Sequence, residues 1–110
     1  PYNQGVIVGN MIYTSGQIPL DKDGVLVSDD IDKQAKQCLE NISAILESAG
    51  SDKSKIVKTT IFLTDLSSFQ KVNEVYAKYF ENEQFPARTT VEVSKLPKDV
   101  KIEIEAIAYI

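Results

Sequence analysis

The spacing of apolar residues switches repeatedly between two and about 3.6 along this chain of 110 residues, and this switching is the strongest constraint on its fold. Alternation around Val6 and Val8, and again over residues 11–13, predicts two short strands near the start of the chain. Gly9 and Asn10 lie between them, and both tolerate a positive φ. We therefore expect the first two strands to be joined by a tight turn.

The longest helical pattern begins at Ile31, after a loop predicted over residues 16–30. Asp29 or Asp30 is suited to the N-cap of this helix, and Gly50 is suited to its C-cap. The apolar stripe consists of Ile31, Ala35, Cys38, Leu39, Ile42, Ile45, Leu46 and Ala49. Because Cys38 falls in this stripe, we expect its thiol to lie in the core.

Three more strands and a second helix are predicted further along the chain. Residues 56–63 are β-branched and aromatic, residues 69–80 are apolar at helical spacing, and residues 87–94 and 100–109 alternate as strands do. The order ββαβαββ predicts one α+β domain over residues 1–110, with both helices on one face of the sheet. The other face then needs a cover, so we expect the chain to associate with itself.

Charge and cysteine content restrict the class of function. The chain has 12 basic and 16 acidic side chains, a net charge of −4 without long runs of one sign, which argues against binding to nucleic acid or acidic membranes. No apolar run approaches the roughly 20 residues that span a bilayer, and the one cysteine predicts a cytoplasmic protein without an internal disulfide. No metal site is expected, and because the chain opens on a strand-like pattern we expect a segment to precede Pro1.

The last two predicted strands carry the charges that are most suited to chemistry. Arg88 is the only arginine and the chain has no histidine, so a reaction here must use arginine, carboxylates, hydroxyls, backbone groups or water. Alternation places Glu103 and Glu105 on the same face of the last strand. A planar guanidinium binds a carboxylate through two parallel hydrogen bonds, which lysine cannot do. As a structural alternative, Arg88 can pair with Glu92 or Glu105, and Glu103 can be a solvated surface residue.

Six segments, in order along the whole chain, carry a resemblance to a known family. They are Pro1-Tyr-Asn-Gln-Gly5, Ile12-Tyr-Thr-Ser-Gly-Gln-Ile-Pro19, Val57-Lys-Thr-Thr-Ile61, Val72-Asn-Glu-Val-Tyr76, Phe85-Pro-Ala-Arg-Thr-Thr-Val-Glu-Val93 and Ile102-Glu-Ile-Glu-Ala-Ile-Ala108. Together they resemble the YjgF-type reactive-intermediate/imine deaminases, the Rid family. The resemblance implies a chorismate-mutase-like two-layer α/β sandwich with a mixed sheet, in which the final strand lies between earlier ones. It also implies a homotrimer whose sheets form a central barrel, with ligand clefts between subunits.

The resemblance further implies an activity. Members of the family hydrolyse 2-imino acids, or enamine tautomers such as 2-aminoacrylate and 2-aminocrotonate, to 2-oxo acids and ammonia. Pyridoxal-phosphate enzymes such as threonine and serine dehydratases release these intermediates and are the implied functional partners. No cofactor is required for the reaction.

Residue by residue, the resemblance assigns three roles on the last two strands. Arg88 would bind the substrate carboxylate, Glu103 would hold and polarise the attacking water, and the backbone of Thr90 would contact the imine side. Many members have cysteine where this chain has Thr90, a difference that a backbone role tolerates. The other cleft residues implied by the resemblance are Tyr2, Ser15 and Asn73.

Structural interpretations and other functions stay open beside these roles. Tyr2 can be a packing residue, Ser15 can belong to a turn with Gly16, and Asn73 can form only a local hydrogen bond. Some relatives are described as endoribonucleases or translation inhibitors. A third possibility is a regulatory module that binds 2-oxo acids without turnover.

Overall fold

The computed structural model describes residues 1–110 as a five-stranded sheet with two helices. The strands are β1 Gly5–Val8, β2 Met11–Thr14, β3 Ile56–Leu63, β4 Ala87–Glu92 and β5 Ile102–Tyr109, and the helices are α1 Ile31–Ser48 and α2 Phe69–Tyr79. This order confirms the ββαβαββ pattern. No helix is long and apolar enough to cross a membrane.

The sheet is mixed, with the strand order β1-β2-β5-β3-β4. β3 and β4 run parallel, and the other neighbouring strands are antiparallel. β5 therefore lies between β2 and β3 rather than beside β4, as the family resemblance implies. Its central position explains its sequence, because Ile102, Ile104 and Ala106 alternate toward a fully buried face.

Both helices cover the same face of the sheet, and the core lies between the two layers. The stripe predicted for α1 supplies Ala35, Cys38, Leu39, Ile42 and Leu46 to this core, and α2 supplies Val72 and Tyr76. The thiol of Cys38 is fully buried, and this burial raises its pKa far above the usual range of a thiol. The prediction of a core cysteine is confirmed.

The ends of several elements differ from the predictions by one or two residues. Asp30 is the N-cap of α1, but its carboxylate makes no capping hydrogen bond, and the C-cap is Ala49 rather than Gly50. Gly50 follows the C-cap with a φ of +82°, so the glycine lies one residue beyond the helix end rather than at the C-cap itself. β4 ends at Glu92 instead of residue 94, and β5 begins at Ile102 instead of residue 100, because the 3₁₀ turn Pro97–Asp99 precedes it.

No helix covers the second face of the sheet. Apolar side chains on it are exposed by 38–61%: Val6, Val8, Tyr13, Val91 and Tyr109. The strand register places Glu103 and Glu105 on the same face, since they pair with Phe62 and Thr60 of β3. This second face is called the open face below.

Candidate active site

Arg88 lies on the helix-covered side of the sheet, on the edge strand β4. It pairs with Thr59 of β3, whose side chain is fully buried against the helices. Side chains of directly paired residues share a face, so the guanidinium of Arg88 points toward α2. The edge position leaves it half-buried rather than enclosed.

Three side chains of α2 contact the guanidinium. Nη1 of Arg88 donates a hydrogen bond of 2.7 Å to Oδ1 of Asn73. Cζ of Arg88 lies 4.9 Å from the ring centroid of Tyr76 and 5.2 Å from that of Phe69, distances typical of cation–π contacts. Asn73 is therefore more than a locally bonded helix residue, because its side-chain amide contacts Arg88.

Arg88 forms no ion pair with a carboxylate of its own subunit, so the alternative pairing with Glu92 or Glu105 is wrong within one subunit. The only two ion pairs, Lys33 with Asp30 and Lys36 with Glu40, lie on the exposed surface of α1. The carboxylate of Glu92 instead accepts a hydrogen bond of 2.8 Å from the backbone N–H of Leu66. Glu105 lies on the open face, across the sheet from Arg88. The remaining N–H groups of the guanidinium are therefore available to a ligand carboxylate.

Thr90 lies two residues after Arg88 and points to the same side of the sheet. Its Oγ1 is buried and has no hydrogen-bond partner. Because β4 is an edge strand, part of its backbone faces away from the sheet and can bind a ligand. The hydroxyl and the backbone at this position thus have different surroundings.

Glu103 lies on the open face and in the centre of the sheet, on β5. Burial, and secondarily the nearby charge of Glu105, raises the pKa of the Glu103 carboxyl above its ordinary value. A Cβ added at Gly16 would lie 2.7 Å from Cδ of Glu103, so a larger residue at this position would displace the carboxylate. A half-buried carboxyl with a raised pKa is a better base than an ordinary surface glutamate.

Ser15 joins the start of the chain to the segment beside Glu103. Its Oγ donates a 2.5 Å hydrogen bond to the backbone carbonyl of Asn3, and its backbone N–H donates one of 2.8 Å to the carbonyl of Gln4. Tyr2 and Gly16 line one open cavity of about 790 Å³. The side chain of Tyr2 is 74% exposed, so the packing interpretation of this residue does not hold within the subunit.

The predicted site residues do not form one group in a single subunit. The arginine half-site contains Arg88, Asn73 and Thr90. The glutamate half-site is Glu103 with Gly16 beside it, and Ser15 precedes Gly16 in the chain, whereas the cavity that Tyr2 lines is also bordered by residues of α1. Arg88 and Glu103 lie on opposite faces of the sheet, with β3 between β4 and β5, so one subunit does not bring them together. A ligand that touches both must lie between two copies of the chain.

Sequence reasoning missed three residues of these half-sites. Phe69 and Tyr76 were assigned only to the apolar stripe of the second helix, and Gly16 only to a turn. The spacing of Phe69, Asn73 and Tyr76, at i, i+4 and i+7, places them on one face of α2 and is a signal that could have found them. No comparable signal links Gly16 to Glu103, because the two meet only through the bridge between Gln17 and Ile104, which no local sequence pattern records.

The two half-sites have complementary chemistry. A guanidinium with free donors can orient an anionic substrate through its carboxylate. A carboxyl with a raised pKa is a stronger base than an ordinary glutamate and can accept a proton from a bound water molecule. This combination suits the addition of water to a small carboxylic acid with an electrophilic carbon.

Comparison with known proteins gives a family for this architecture. The endoribonuclease L-PSP family matches residues 1–110. The chain is 56% identical over 110 residues to 2-iminobutanoate/2-iminopropanoate deaminase of Salmonella typhimurium, covering 98% of this chain and 86% of the relative. The crystal structure of the YjgF gene product of Escherichia coli superposes with a TM-score of 0.95 at 55% identity, covering 99% of this chain and 87% of that one. Escherichia coli TdcF with bound serine matches with a TM-score of 0.95 at 47% identity, over 100% of this chain and 88% of that one. An identity of this size over the whole domain shows that the chain belongs to the endoribonuclease L-PSP family, the family of YjgF and TdcF.

Proposed function

We propose that this protein is a 2-iminobutanoate/2-iminopropanoate deaminase, which hydrolyses 2-imino acids and their enamine tautomers to 2-oxo acids and ammonia. The 56% identity to the Salmonella deaminase supports this assignment. The residue types support it independently, since the half-sites offer a guanidinium for a carboxylate and a carboxyl of raised pKa for water. The reaction needs no group beyond these.

The observation that carries the proposal is the separation of Arg88 and Glu103 onto opposite faces of one sheet. We propose a homotrimer in which the arginine half-site of one subunit meets the glutamate half-site of the next. The exposed apolar side chains of the open face, which include Val6, Val8 and Tyr13, support burial of this face between subunits. A closed ring of three heterologous contacts gives three equivalent sites.

In the proposed reaction, Arg88 binds the carboxylate of the protonated imine and the backbone at Thr90 contacts its nitrogen side. Glu103 of the adjacent subunit accepts a proton as water adds to the imine carbon, which forms a carbinolamine. The same carboxyl returns that proton to the amine. As the C–N bond breaks, Glu103 takes the hydroxyl proton and passes it to the departing ammonia, which leaves as ammonium while the carbon becomes the 2-oxo group. Water is the only co-reactant, and Glu103 ends in its starting state.

The proposed partners are enzymes that release 2-aminoacrylate and 2-aminocrotonate, namely the pyridoxal-phosphate-dependent serine and threonine dehydratases. A site that holds the imine and a water molecule in a productive geometry accelerates hydrolysis and shortens the lifetime of these reactive intermediates. We place the protein in the cytoplasm with these enzymes. The free, buried thiol of Cys38 is compatible with that compartment.

Two other functions have weaker support. The family description names an endoribonuclease, but this chain has a net charge of −4 and no histidine, which does not favour RNA as the substrate. A regulatory module that binds 2-oxo acids would need Arg88 but would not need the carboxyl of Glu103. Cleavage of single-stranded RNA that persists in an Arg88→Ala variant would favour the first, and binding of 2-oxobutanoate without imine turnover would favour the second.

Mixed trimers test the shared site directly. The variants Arg88→Ala and Glu103→Gln should each be inactive in a coupled assay that measures 2-oxo acid from dehydratase-generated 2-aminoacrylate. Co-expression in equal amounts should restore about a quarter of wild-type activity, because about three quarters of the trimers are mixed and each has one intact site of three.

The same experiment has a clear negative result. If co-expressed variants stay inactive while light scattering shows mixed trimers, Arg88 and Glu103 do not act in one intersubunit site. If wild-type protein fails to accelerate 2-oxo acid formation at all, the deaminase assignment itself is wrong. A double variant that carries both substitutions on one chain, mixed with wild type, is the matched control.

A further inference from the structure

α2 presents a repeated set of side chains to Arg88. Phe69, Asn73 and Tyr76 follow one another by four and three residues, so all three lie on the face of α2 toward β4. Together they contact the guanidinium through two aromatic rings and one amide oxygen. No other element contributes a side-chain hydrogen bond to Arg88, so α2 alone determines its orientation.

The contacts differ in what they restrain. The hydrogen bond to Asn73 restrains rotation of the guanidinium within its plane. The rings of Tyr76 and Phe69, with centroids 4.9 Å and 5.2 Å from Cζ, restrain its position and attract its charge without using an N–H donor. An acidic neighbour would restrain Arg88 as well, but it would compete with a substrate carboxylate.

Tyr76 is itself held in place by the core. Its hydroxyl shares a 2.7 Å hydrogen bond with Oγ1 of Thr59, the residue that pairs with Arg88 across the sheet. The ring of Phe85 lies nearly parallel to it, at 9° and a centroid distance of 6.4 Å. Tyr76 is 4% exposed, whereas Phe69 is 36% exposed and lies at the start of the helix. The guanidinium therefore has one rigid aromatic contact and one at the surface.

We infer that Phe69 and Tyr76 are positioning residues, which hold the guanidinium of Arg88 in the orientation that binds the substrate carboxylate. The inference rests on the proposed function. An arginine has a long flexible side chain, and ordering it only when the ligand arrives lowers affinity. With the two rings in place, the ordering precedes binding, and the free N–H groups face the cleft.

The single arginine makes this inference directly measurable. Because Arg88 is the only arginine, the Nε–Hε group gives one resonance in a nitrogen-15 NMR spectrum without any assignment. In the wild-type protein we expect a high order parameter for this group in the absence of ligand. In Phe69→Leu it should fall measurably toward about 0.6, the upper limit for flexible groups, because the contacts with Asn73 and Tyr76 remain.

Affinity and kinetics provide the second readout. Phe69→Leu should weaken calorimetric binding of 2-oxobutanoate about fivefold, the effect of losing one exposed cation–π contact. KM for the imine should rise by the same factor with kcat within about twofold, because Arg88 binds the carboxylate equally in the ground and transition states. Phe69→Tyr, which keeps an aromatic ring at this position, should retain the wild-type affinity and KM.

Tyr79→Leu is the matched control, since Tyr79 is an aromatic residue of α2 that does not contact Arg88 and hydrogen-bonds Ser43 instead. It should leave the Arg88 order parameter and the 2-oxobutanoate affinity unchanged. Unchanged mobility and affinity in Phe69→Leu, or equal losses in Tyr79→Leu, would overturn the positioning role. If the wild-type protein does not accelerate imine hydrolysis, the proposed function fails, and the order parameter of Arg88 alone decides the positioning role.

Discussion

The two half-sites of this protein are built in opposite ways. Arg88 is held by Asn73, Phe69 and Tyr76, and each contact favours one orientation of its charged group. Glu103 accepts no hydrogen bond from the protein, packs beside Gly16, and has a pKa that burial raises. The half-site proposed to bind holds its charged group in one orientation, while burial destabilises the charged form of the group proposed to transfer protons.

The difference follows from the secondary structure beneath each residue. Arg88 faces a helix, which can supply side chains at i, i+4 and i+7 to one point. Glu103 lies in a strand, whose period of two places Glu105 on the same face. Desolvation raises the pKa of Glu103, and the like charge of Glu105 raises it further. The helix thus favours a fixed cation and the strand favours a basic carboxylate.

Removing Arg88 tests the binding half of this comparison and has the largest expected effect. Arg88→Ala should lower kcat/KM for imine hydrolysis by roughly 10³-fold or more, because two charge-assisted hydrogen bonds to the substrate carboxylate are lost. Arg88→Lys should recover little, since an ammonium lacks the planar fork. The coupled dehydratase assay measures both variants, and light scattering should find the wild-type oligomer in each. Near wild-type activity in either variant would exclude Arg88 as the carboxylate anchor.

Glu103→Gln tests the proton-transfer half and should separate rate from binding. The side chain keeps its size but loses its basicity, so kcat should fall about 10²-fold or more, while 2-oxobutanoate still binds through Arg88. Calorimetry and the turnover assay on one preparation measure the two quantities. Unchanged turnover would remove Glu103 from the mechanism, and joint loss of binding and folding would make its role structural.

The pH dependence of the wild-type protein is the control for this variant. Glu103 must be ionised to accept a proton from water, so kcat/KM should fall as the pH drops through its pKa. Because that pKa is raised, this acid limb should lie above the pH range of an ordinary glutamate, and it should be absent in Glu103→Gln.

The raised pKa also means that ionisation of Glu103 opposes folding. Its contribution to stability is therefore present at acidic pH and decreases as the pH rises through the folded-state pKa.

The sequence predicted most of the fold because its elements are long and regular. The stripe from Ile31 to Ala49 and the alternation of Ile102, Ile104 and Ala106 identify a helix and a strand without any tertiary information. The position of β5 between β2 and β3 is different, since spacing alone favours a hairpin with β4. Only the family resemblance indicated it, because strand order depends on long-range pairing that no local pattern records.

The candidate site was predicted less completely for the same reason. Alternation identified the faces of β4 and β5 separately, but it could not relate them. The register of Arg88 with Thr59, and of Glu103 with Phe62, is what places the two residues on opposite sides. The contact of Gly16 with Glu103 is likewise invisible in the sequence, because the two are 87 positions apart and meet only through the sheet.

Gly16→Ala should disturb the glutamate half-site alone. The added methyl group would overlap with the carboxylate of Glu103 and move it, so kcat should fall roughly tenfold while 2-oxobutanoate affinity is retained. Gly5→Ala is a matched control, because its new methyl group would lie 3.1 Å from Cγ2 of Ile45, away from Glu103. Steady-state kinetics of both variants decide the matter. An equal loss in Gly5→Ala would indicate a general packing defect instead.

Thr90→Val has the smallest expected effect and concerns the one unsatisfied group of the arginine half-site. The buried Oγ1 of Thr90 has no hydrogen-bond partner, so replacing the hydroxyl with a methyl group of similar size removes a desolvation penalty. The free energy of unfolding should rise by about 1 kcal/mol in denaturant titrations at a fixed protein concentration.

Activity should be unchanged in Thr90→Val and in Thr90→Cys, because the proposed contact with the imine uses the backbone, which neither substitution alters. A loss of activity in the valine variant that the cysteine variant does not share would assign the contact to a side-chain donor. A loss of stability in Thr90→Val would mean that the hydroxyl gains a partner when two subunits meet.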